Sequence, residues 1–264
     1  MTTLQQAMRA VASPDPKVRQ EAALRLGTLA DGSVARELVE LLVAEPDFYV
    51  RESLTWVVVA QQETTLPHLV AALDGSGPAR VQVLHALSKI RDPQVVDRIV
   101  PLAQDEDPAV SAKAWWALGR TAVPETAPVL VAHLGSGDDE RRRALTSALE
   151  QFGEPAVPAL AAELSDPSAA VRRHALEALS AIGDPGAREA AGALVGLIGT
   201  SDAKDELVVA VEALGQLDVA EAVEALERLR TGEDTFLATM ADWLLTDRAE
   251  RRAKEEARAA RRRQ

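Results

Sequence analysis

Cysteine is absent from this 264-residue chain, and aromatic residues make up only 3% of it. Without cysteine there is no disulfide bond and no thiolate metal site, and a reducing compartment is compatible. Hydrophobic residues make up 47% of the chain, so a core with so few aromatic residues consists mainly of Ala, Leu and Val. Such a composition favours closely packed helices over a sheet.

Long hydrophobic segments are absent as well. No apolar run approaches the length that a membrane-spanning helix needs. The first residues, Met1 to Gln6, lack the basic and then apolar pattern of a signal peptide. We therefore expect no membrane span and a cytoplasmic location.

The charge is acidic and unevenly distributed. The chain has 29 basic and 41 acidic residues, a net charge of −12. The segment from Arg248 to Gln264 contains eight basic and three acidic residues, which leaves 21 basic and 38 acidic residues in the rest of the chain. An acidic body repels a nucleic-acid backbone, so we do not expect nucleic acid as a partner. The basic tail Arg261–Arg263 is interpreted as a disordered end, with contact to an acidic partner, RNA or a membrane as the alternatives.

A helical unit is most evident from Asp166 to Gly183. Asp166 is predicted to cap the helix and Pro167 to occupy its first position, where the missing N–H costs nothing. Apolar residues then recur at helical spacing from Val171 to Ile182, which predicts one buried stripe. Gly183 is predicted to end the helix. One such helix is marginal alone and must pack against others.

The same pattern recurs along the whole chain at intervals of 29 to 35 residues. The position of Val171, here called the reference position, is matched by Val18, Val50, Ala79, Val110, Arg141 and Glu206. Eight residues after each reference position comes an apolar residue, which is Leu in six of seven cases. An arginine follows the reference position in five units: Arg19, Arg51, Arg80, Arg142 and Arg172. A period of this length predicts a solenoid of stacked helical hairpins.

The Asp-Pro turn, the Val-Arg pair and the Ala-rich helix resemble HEAT repeats, and in particular the short HEAT-like repeats of phycobilin lyases. The best matches are at Asp15–Gly27, Asp107–Gly119 and Asp166–Gly183. The resemblance implies an all-α, right-handed α-solenoid of about seven hairpins. We expect an N-terminal capping helix at 1–13, the repeats at 14–231, and a C-terminal capping helix with a charged extension at 232–264. Arg141 and Glu206 replace the usual valine, which predicts looser packing there.

Two rows of side chains are candidates for binding a partner. In solenoids of this kind the second helix of each hairpin is expected on the concave side. One row, here called the second-helix row, lies there and has a small, apolar centre: His68, Asp97, Val129, Ala159, Ala193 and Glu224. It predicts a groove for a partner helix or peptide. The alternative is that alanine is simply the commonest residue in such helices.

The other row lies six residues after the reference position, on the flank away from the apolar stripe. Its first four members, here called the aromatic row, are Leu24, Trp56, His85 and Trp116. Large side chains where polar ones are expected suggest a contact surface, which includes self-association. The alternative is that a rotation of the helices buries Trp56 and Trp116 between hairpins.

No catalytic or metal-binding motif is present. The chain has no Gly-rich phosphate loop, no nucleophile elbow and no His-Glu-x-x-His motif. The four histidines lie in different units, and none forms the His-Glu motif of the HEAT-repeat enzyme deoxyhypusine hydroxylase. We expect no catalytic residues, no cofactor and no metal.

The sequence therefore favours a non-catalytic scaffold or adaptor that binds a partner protein or peptide. The alternative implied by the resemblance is a lyase-like, isomerase-like or chaperone-like enzyme that acts on a chromophore or a modified protein. A designed repeat protein is a third possibility, but the irregular spacings argue against it.

Overall fold

The computed structural model describes residues 3–262 and divides them after Thr126 into two compact units. The outermost residues of both predicted caps, 1–2 and 263–264, lie outside the described part, as does the end of the basic tail. Within residues 3–262 all regular secondary structure is helical. None of the helices in this part of the chain is both long and apolar enough to cross a bilayer.

Unit 1, up to Thr126, alternates between two layers of helices. Its α-helices are α1 (Thr3–Ala10), α2 (Pro16–Leu29), α3 (Ala35–Ala44), α4 (Phe48–Ala60), α5 (Gln62–Ala72), α6 (Gly77–Ile90), α7 (Val96–Ile99) and α8 (Pro108–Thr121). The first helices of the hairpins pack side by side in the order α2, α4, α6, α8, and the second helices α3 and α5 pack behind them.

Unit 2, from Ala127, repeats this arrangement. Its α-helices are α9 (Ala127–Val131), α10 (Asp139–Phe152), α11 (Val157–Glu163), α12 (Ala169–Ile182), α13 (Ala191–Thr200), α14 (Lys204–Gln216), α15 (Ala220–Arg230) and α16 (Thr235–Arg262). The first-helix layer runs α10, α12, α14, α16, and α11, α13 and α15 form the second layer. The predicted all-α solenoid is confirmed.

The predicted core register is also confirmed. The residue eight positions after each reference position is at most 1% exposed in all seven cases: Leu26, Val58, Leu87, Leu118, Leu149, Leu179 and Leu214. The one large aromatic side chain that joins the fully buried set is Trp115, whose Nε1–H donates to the carbonyl of Ala103 at 3.0 Å.

The first helices begin at one fixed place in the repeat. The N-cap lies three residues before each reference position, so Asp15 and Asp107 cap α2 and α8 as the sequence predicts. The prediction that Asp166 caps α12 is wrong, because two additional residues separate Pro167 from Val171 and the N-cap moves to Ser168. The Asp166 carboxylate instead accepts the Ser168 N–H at 2.7 Å, which shapes the turn. Gly183 follows the last residue of α12 with a φ of 60°, as predicted.

In several units, the arginine that follows the reference position links its hairpin to a carboxylate near the next one. Arg19 donates to two carbonyls of the turn before its own helix and pairs with both oxygens of Glu45 at 2.9 Å. Arg172 donates to the equivalent carbonyls and pairs with Glu206 at 2.8 and 3.1 Å. Glu206 is only 1% exposed. It replaces the usual valine, which predicts loose packing, but the structure shows that it forms a buried ion pair of two hydrogen bonds with Arg172.

For the last helix, α16, the sequence predicts an apolar face made of Phe236, Leu237, Met240, Trp243 and Leu244, and the structure has a different one. Leu237, Ala241 and Leu244 are buried against the preceding hairpin, whereas Phe236 and Trp243 are exposed. The exposed residues precede buried ones by one position, which is a rotation of about 100° around the helix. The sequence loses its apolar stripe from Arg248 onward, which predicts a solvated extension, but Arg248 itself is buried and donates to the carbonyl of Leu217 and the carboxylate of Asp218. Beyond it, residues 249–258 form the predicted exposed helix.

Candidate functional site

The four members of the aromatic row lie on the first-helix layer of unit 1, one each on α2, α4, α6 and α8. Leu24 is 64% exposed and Trp56 is 62% exposed, while His85 and Trp116 are half-buried. Their helices pack as consecutive neighbours, so the row crosses the layer. The alternative of burial does not hold for Trp56. Trp116 is neither fully exposed nor fully buried, because its neighbour Trp115 occupies the core position.

The exposed face of α4 extends this surface. Tyr49 lies seven residues before Trp56, almost directly below it on the helix, and is also exposed. Its ring meets that of Phe48 edge to face, with centroids 5.5 Å apart. The guanidinium carbon of Arg51 lies 5.9 Å from the Phe48 centroid. Three exposed aromatic side chains therefore stand on one helix of a chain that has only eight.

Charged side chains from the neighbouring helices gather beside Trp56. Glu52 Oε1 lies 3.0 Å from His85 Nε2, and Glu52 Oε2 lies 3.9 Å from Lys89 Nζ. Lys89 Nζ also lies 4.9 Å from the centroid of the Trp56 ring. An ammonium over an indole face is attractive, so Lys89 holds both the carboxylate and the ring.

Lys113 on α8 completes this cluster. Burial lowers its pKa from the ordinary value, while the nearby Glu52 carboxylate opposes that shift and the Lys89 charge adds to it. Burial also lowers the pKa of His85, although the Glu52 carboxylate acts in the opposite direction. His85 is therefore neutral at pH 7, and the cluster combines one carboxylate with two ammonium groups.

Sequence reasoning missed Tyr49, Glu52, Lys89 and Lys113. Each stands three, four or seven positions from a member of the aromatic row on its own helix, and that is the spacing at which helical neighbours touch. The signal was available in the sequence. The contact of Glu52 with His85 was not, because the two residues belong to different hairpins.

The second-helix row is divided between the two units. In unit 1, His68 is half-buried and Asp97 is exposed. In unit 2, Val129, Ala159 and Ala193 are half-buried and Glu224 is exposed. His68 lines a cleft of about 440 Å³ with α3 residues such as Val39 and Val43. In unit 2 a cleft of about 330 Å³ lies along α13 and α15, lined by apolar residues such as Val195, Ile198 and Leu229. Members of the row themselves do not line this second cleft.

Buried His174 is a structural residue of unit 2. The Gly135 N–H donates to its Nδ1 at 3.2 Å, so the proton of the neutral ring lies on Nε2, 3.1 Å from the hydroxyl oxygen of Thr146. Burial lowers the pKa of His174 to about 4, with the Arg142 carbonyl opposing the shift and the Arg142 charge adding to it. Its hydrogen bonds are fully used inside the fold.

No group of three or more metal-ligating side chains comes together within residues 3–262. The His85–Glu52 contact is a single pair, and Lys89 and Lys113 place positive charge beside it. This arrangement suits an anionic group better than a cation.

Comparison with protein families identifies HEAT repeats at residues 66–150, 142–215 and 157–246. These matches cover well over half of the chain. The protein belongs to the HEAT-repeat family. A comparison with curated proteins gives no match.

Solved structures support the fold of this HEAT-repeat chain. An archaeal HEAT-like repeats protein from Thermococcus onnurineus NA1 is similar with a TM-score of 0.50 and 15% identity, over 80% of this chain and 95% of that one. Kap121p bound to Ste12p is similar with a TM-score of 0.56 and 16% identity, over 90% of this chain and 32% of that one. Kap95p, in a complex with RanGDP, gives a TM-score of 0.53 at 11% identity, over 92% of this chain and 40% of that one. At these identities the likeness concerns the fold alone.

Proposed function

We propose that this HEAT-repeat protein is a non-catalytic scaffold that binds a partner protein through the first-helix layer of unit 1. The observation that carries the proposal is the exposure of Trp56, at 62%, beside exposed Leu24 and Tyr49 on the same layer. Large aromatic side chains contribute most to protein interfaces, and a contiguous exposed patch of them favours a docking surface.

The fold is compatible with this role. Kap121p, which shares it, has been solved bound to Ste12p and to the extreme C-terminus of Cdc14p. For this chain we place the partner on the first helices of the hairpins, because the exposed aromatic side chains of unit 1 lie there and the second-helix row is small and mostly half-buried. The second-helix row remains a proposed secondary contact for a peptide.

Two finer assignments accompany the proposal. We assign the repeats to the short HEAT-like type that phycobilin lyases contain, on the basis of their 29–35-residue spacing. A lyase-like activity is not part of the proposal, because no observed feature of the structure favours it. The cytoplasmic location stays a prediction from the sequence.

The test is a capture experiment with a matched pair of tryptophan variants. Trp56→Ala removes the centre of the proposed surface, and Trp243→Ala removes an equally exposed tryptophan, 63%, from unit 2. We expect proteins from the source organism that bind the wild type to be retained by Trp243→Ala and reduced by roughly tenfold or more with Trp56→Ala. Circular dichroism serves to verify that both variants are folded.

The proposal is wrong if the captured proteins are retained equally by Trp56→Ala and the wild type. Sedimentation of the purified protein tests whether the surface binds a second copy of the chain instead of another protein. A dimer that dissociates in Trp56→Ala alone would make the surface a self-association site, whereas a monomer in all three proteins leaves a different protein as the partner.

A further inference from the structure

The surface beside Trp56 carries a local excess of positive charge. We define the lysine patch as Glu52, Trp56, His85, Lys89, Lys113 and Trp116. With His85 neutral, one carboxylate faces two ammonium groups, so the patch has a net charge of about +1 at pH 7. The chain as a whole has a net charge of −12. A positive site on an acidic protein selects for a negatively charged group.

The two lysines differ in how far their charges are compensated. Lys89 lies beside both the Glu52 carboxylate and the Trp56 ring. The Lys113 ammonium is half-buried and makes no hydrogen bond or close ion pair with a residue of the described part of the chain. An additional acceptor next to Lys113 would stabilise its ammonium form, which burial disfavours.

We propose that the lysine patch binds an acidic side chain, Asp or Glu, of the partner protein, with an apolar residue next to it in contact with Trp56. This inference rests on the proposed function and specifies the chemistry of the partner. A single carboxylate brings the charge of the patch to about zero, whereas a doubly charged phosphate group would leave excess negative charge beside Glu52. The exposed rings of Tyr49 and Trp56 on the adjoining helix supply the apolar contact that the neighbouring residue needs.

The test uses a random peptide library displayed on phage and selected on the complete protein. The expected peptides share one Asp or Glu next to an apolar residue. The strongest of them, labelled with a fluorophore, is then titrated against the wild type, the charge-reversal variant Lys89→Glu/Lys113→Glu, and Trp56→Ala. We expect a loss of affinity of roughly tenfold or more in both variants. If charge reversal disturbs the fold, Lys89→Gln/Lys113→Gln takes its place, with a smaller loss expected.

A matched control and a charge swap sharpen the result. Lys17→Glu reverses an exposed lysine elsewhere in unit 1 and is expected to leave the affinity within roughly twofold. A peptide with Lys in place of its acidic residue is expected to bind the charge-reversal variant better than the wild type. A peptide with phosphoserine at that position is expected to bind the wild type more weakly than the parent peptide.

Selected peptides without an acidic residue, or equal losses with Lys17→Glu and with the charge reversal, would overturn the inference. Tighter binding of the phosphoserine peptide would overturn the choice of a carboxylate. Peptides that depend on Trp56 but are indifferent to both lysines would overturn this inference and leave the proposed function intact. Peptides that bind without any dependence on Trp56 would contradict both.

Discussion

The two units share one core and differ on their first-helix layers. Leu118 in unit 1 and Leu179 in unit 2 occupy the same position of the repeat and are equally buried. Six residues after the reference position, unit 1 has Leu24, Trp56, His85 and Trp116, whereas unit 2 has Ser147, Glu177 and Glu212. The position eight residues after the reference is constrained by packing. The position six residues after it faces solvent and is free to vary. The difference therefore coincides with the surface that the proposed function assigns to unit 1 and not to unit 2.

The position three residues after the reference varies between single hairpins. On α12 it holds His174, which is buried and hydrogen-bonded on both ring nitrogens. On α8 it holds Lys113, half-buried at the edge of the lysine patch, whereas on the neighbouring α6 it holds buried Gln82. The same site in the repeat thus serves the interior in some hairpins and a candidate binding surface in another.

The largest expected effect tests the shared part of the comparison. Leu118→Ala and Leu179→Ala each remove a fully buried side chain, and each is expected to lower the free energy of unfolding by about 2–5 kcal/mol. Chemical denaturation followed by circular dichroism provides the measurement. A loss below about 0.5 kcal/mol in either variant, the range of surface substitutions, would contradict the common core register.

The next effect concerns the buried ion pair of unit 2. Glu206→Gln removes the charge that compensates Arg172, whose guanidinium stays largely enclosed. We expect a loss of about 3 kcal/mol, because an uncompensated buried charge is costly. The control is Asp205→Asn, on the residue next to Glu206, which removes the carboxylate that pairs with exposed Arg173. This variant is expected to lower the free energy of unfolding by less than about 1 kcal/mol. Equal losses in the two variants would show that burial of the pair is not the cause.

The smallest of the three effects depends on pH. The pKa of His174 is about 4 in the folded protein and 6.5 in the unfolded chain, so its contribution to stability is complete above pH 6.5 and falls as the pH is lowered toward 4. Between pH 7 and pH 5 the loss amounts to about 2 kcal/mol. His174→Gln is expected to be less stable at pH 7 and to show a smaller pH dependence over this range, measured by denaturation at several pH values. An unchanged pH dependence would contradict the lowered pKa, since it would mean that His174 has the same pKa in the folded protein and in the unfolded chain.

The sequence predicted the solenoid and its core because both follow from periodicity. One register assigned the seven buried positions from Leu26 to Leu214, and the same register, applied to the turn, would have placed the N-cap at Ser168 instead of Asp166. The sequence did not decide whether Trp56 is exposed or buried, because a rotation of its helix by a fraction of a turn changes one into the other. The predicted apolar face of α16 was wrong for the same reason, since Trp243 and Leu244 are adjacent and only Leu244 packs against the preceding hairpin.

What the sequence did not predict are contacts between hairpins. Glu52 meets His85 and Arg172 meets Glu206 across more than thirty residues, and no local pattern specifies such pairs. The lysine patch consists of contacts of this kind. The spacing in the sequence could identify its members as helical neighbours of the aromatic row, but it could not predict that they contact one another.

The arginine link of the first hairpin bears on where the chain can be divided. Arg19 on α2 binds carbonyls of its own turn and the carboxylate of Glu45, which lies just beyond the end of α3. A hairpin cut at Ala44 and transplanted elsewhere would keep the cation and leave its anion behind. For this first hairpin, the module for exchange, deletion or duplication therefore ends at Glu45, one residue beyond the end of α3.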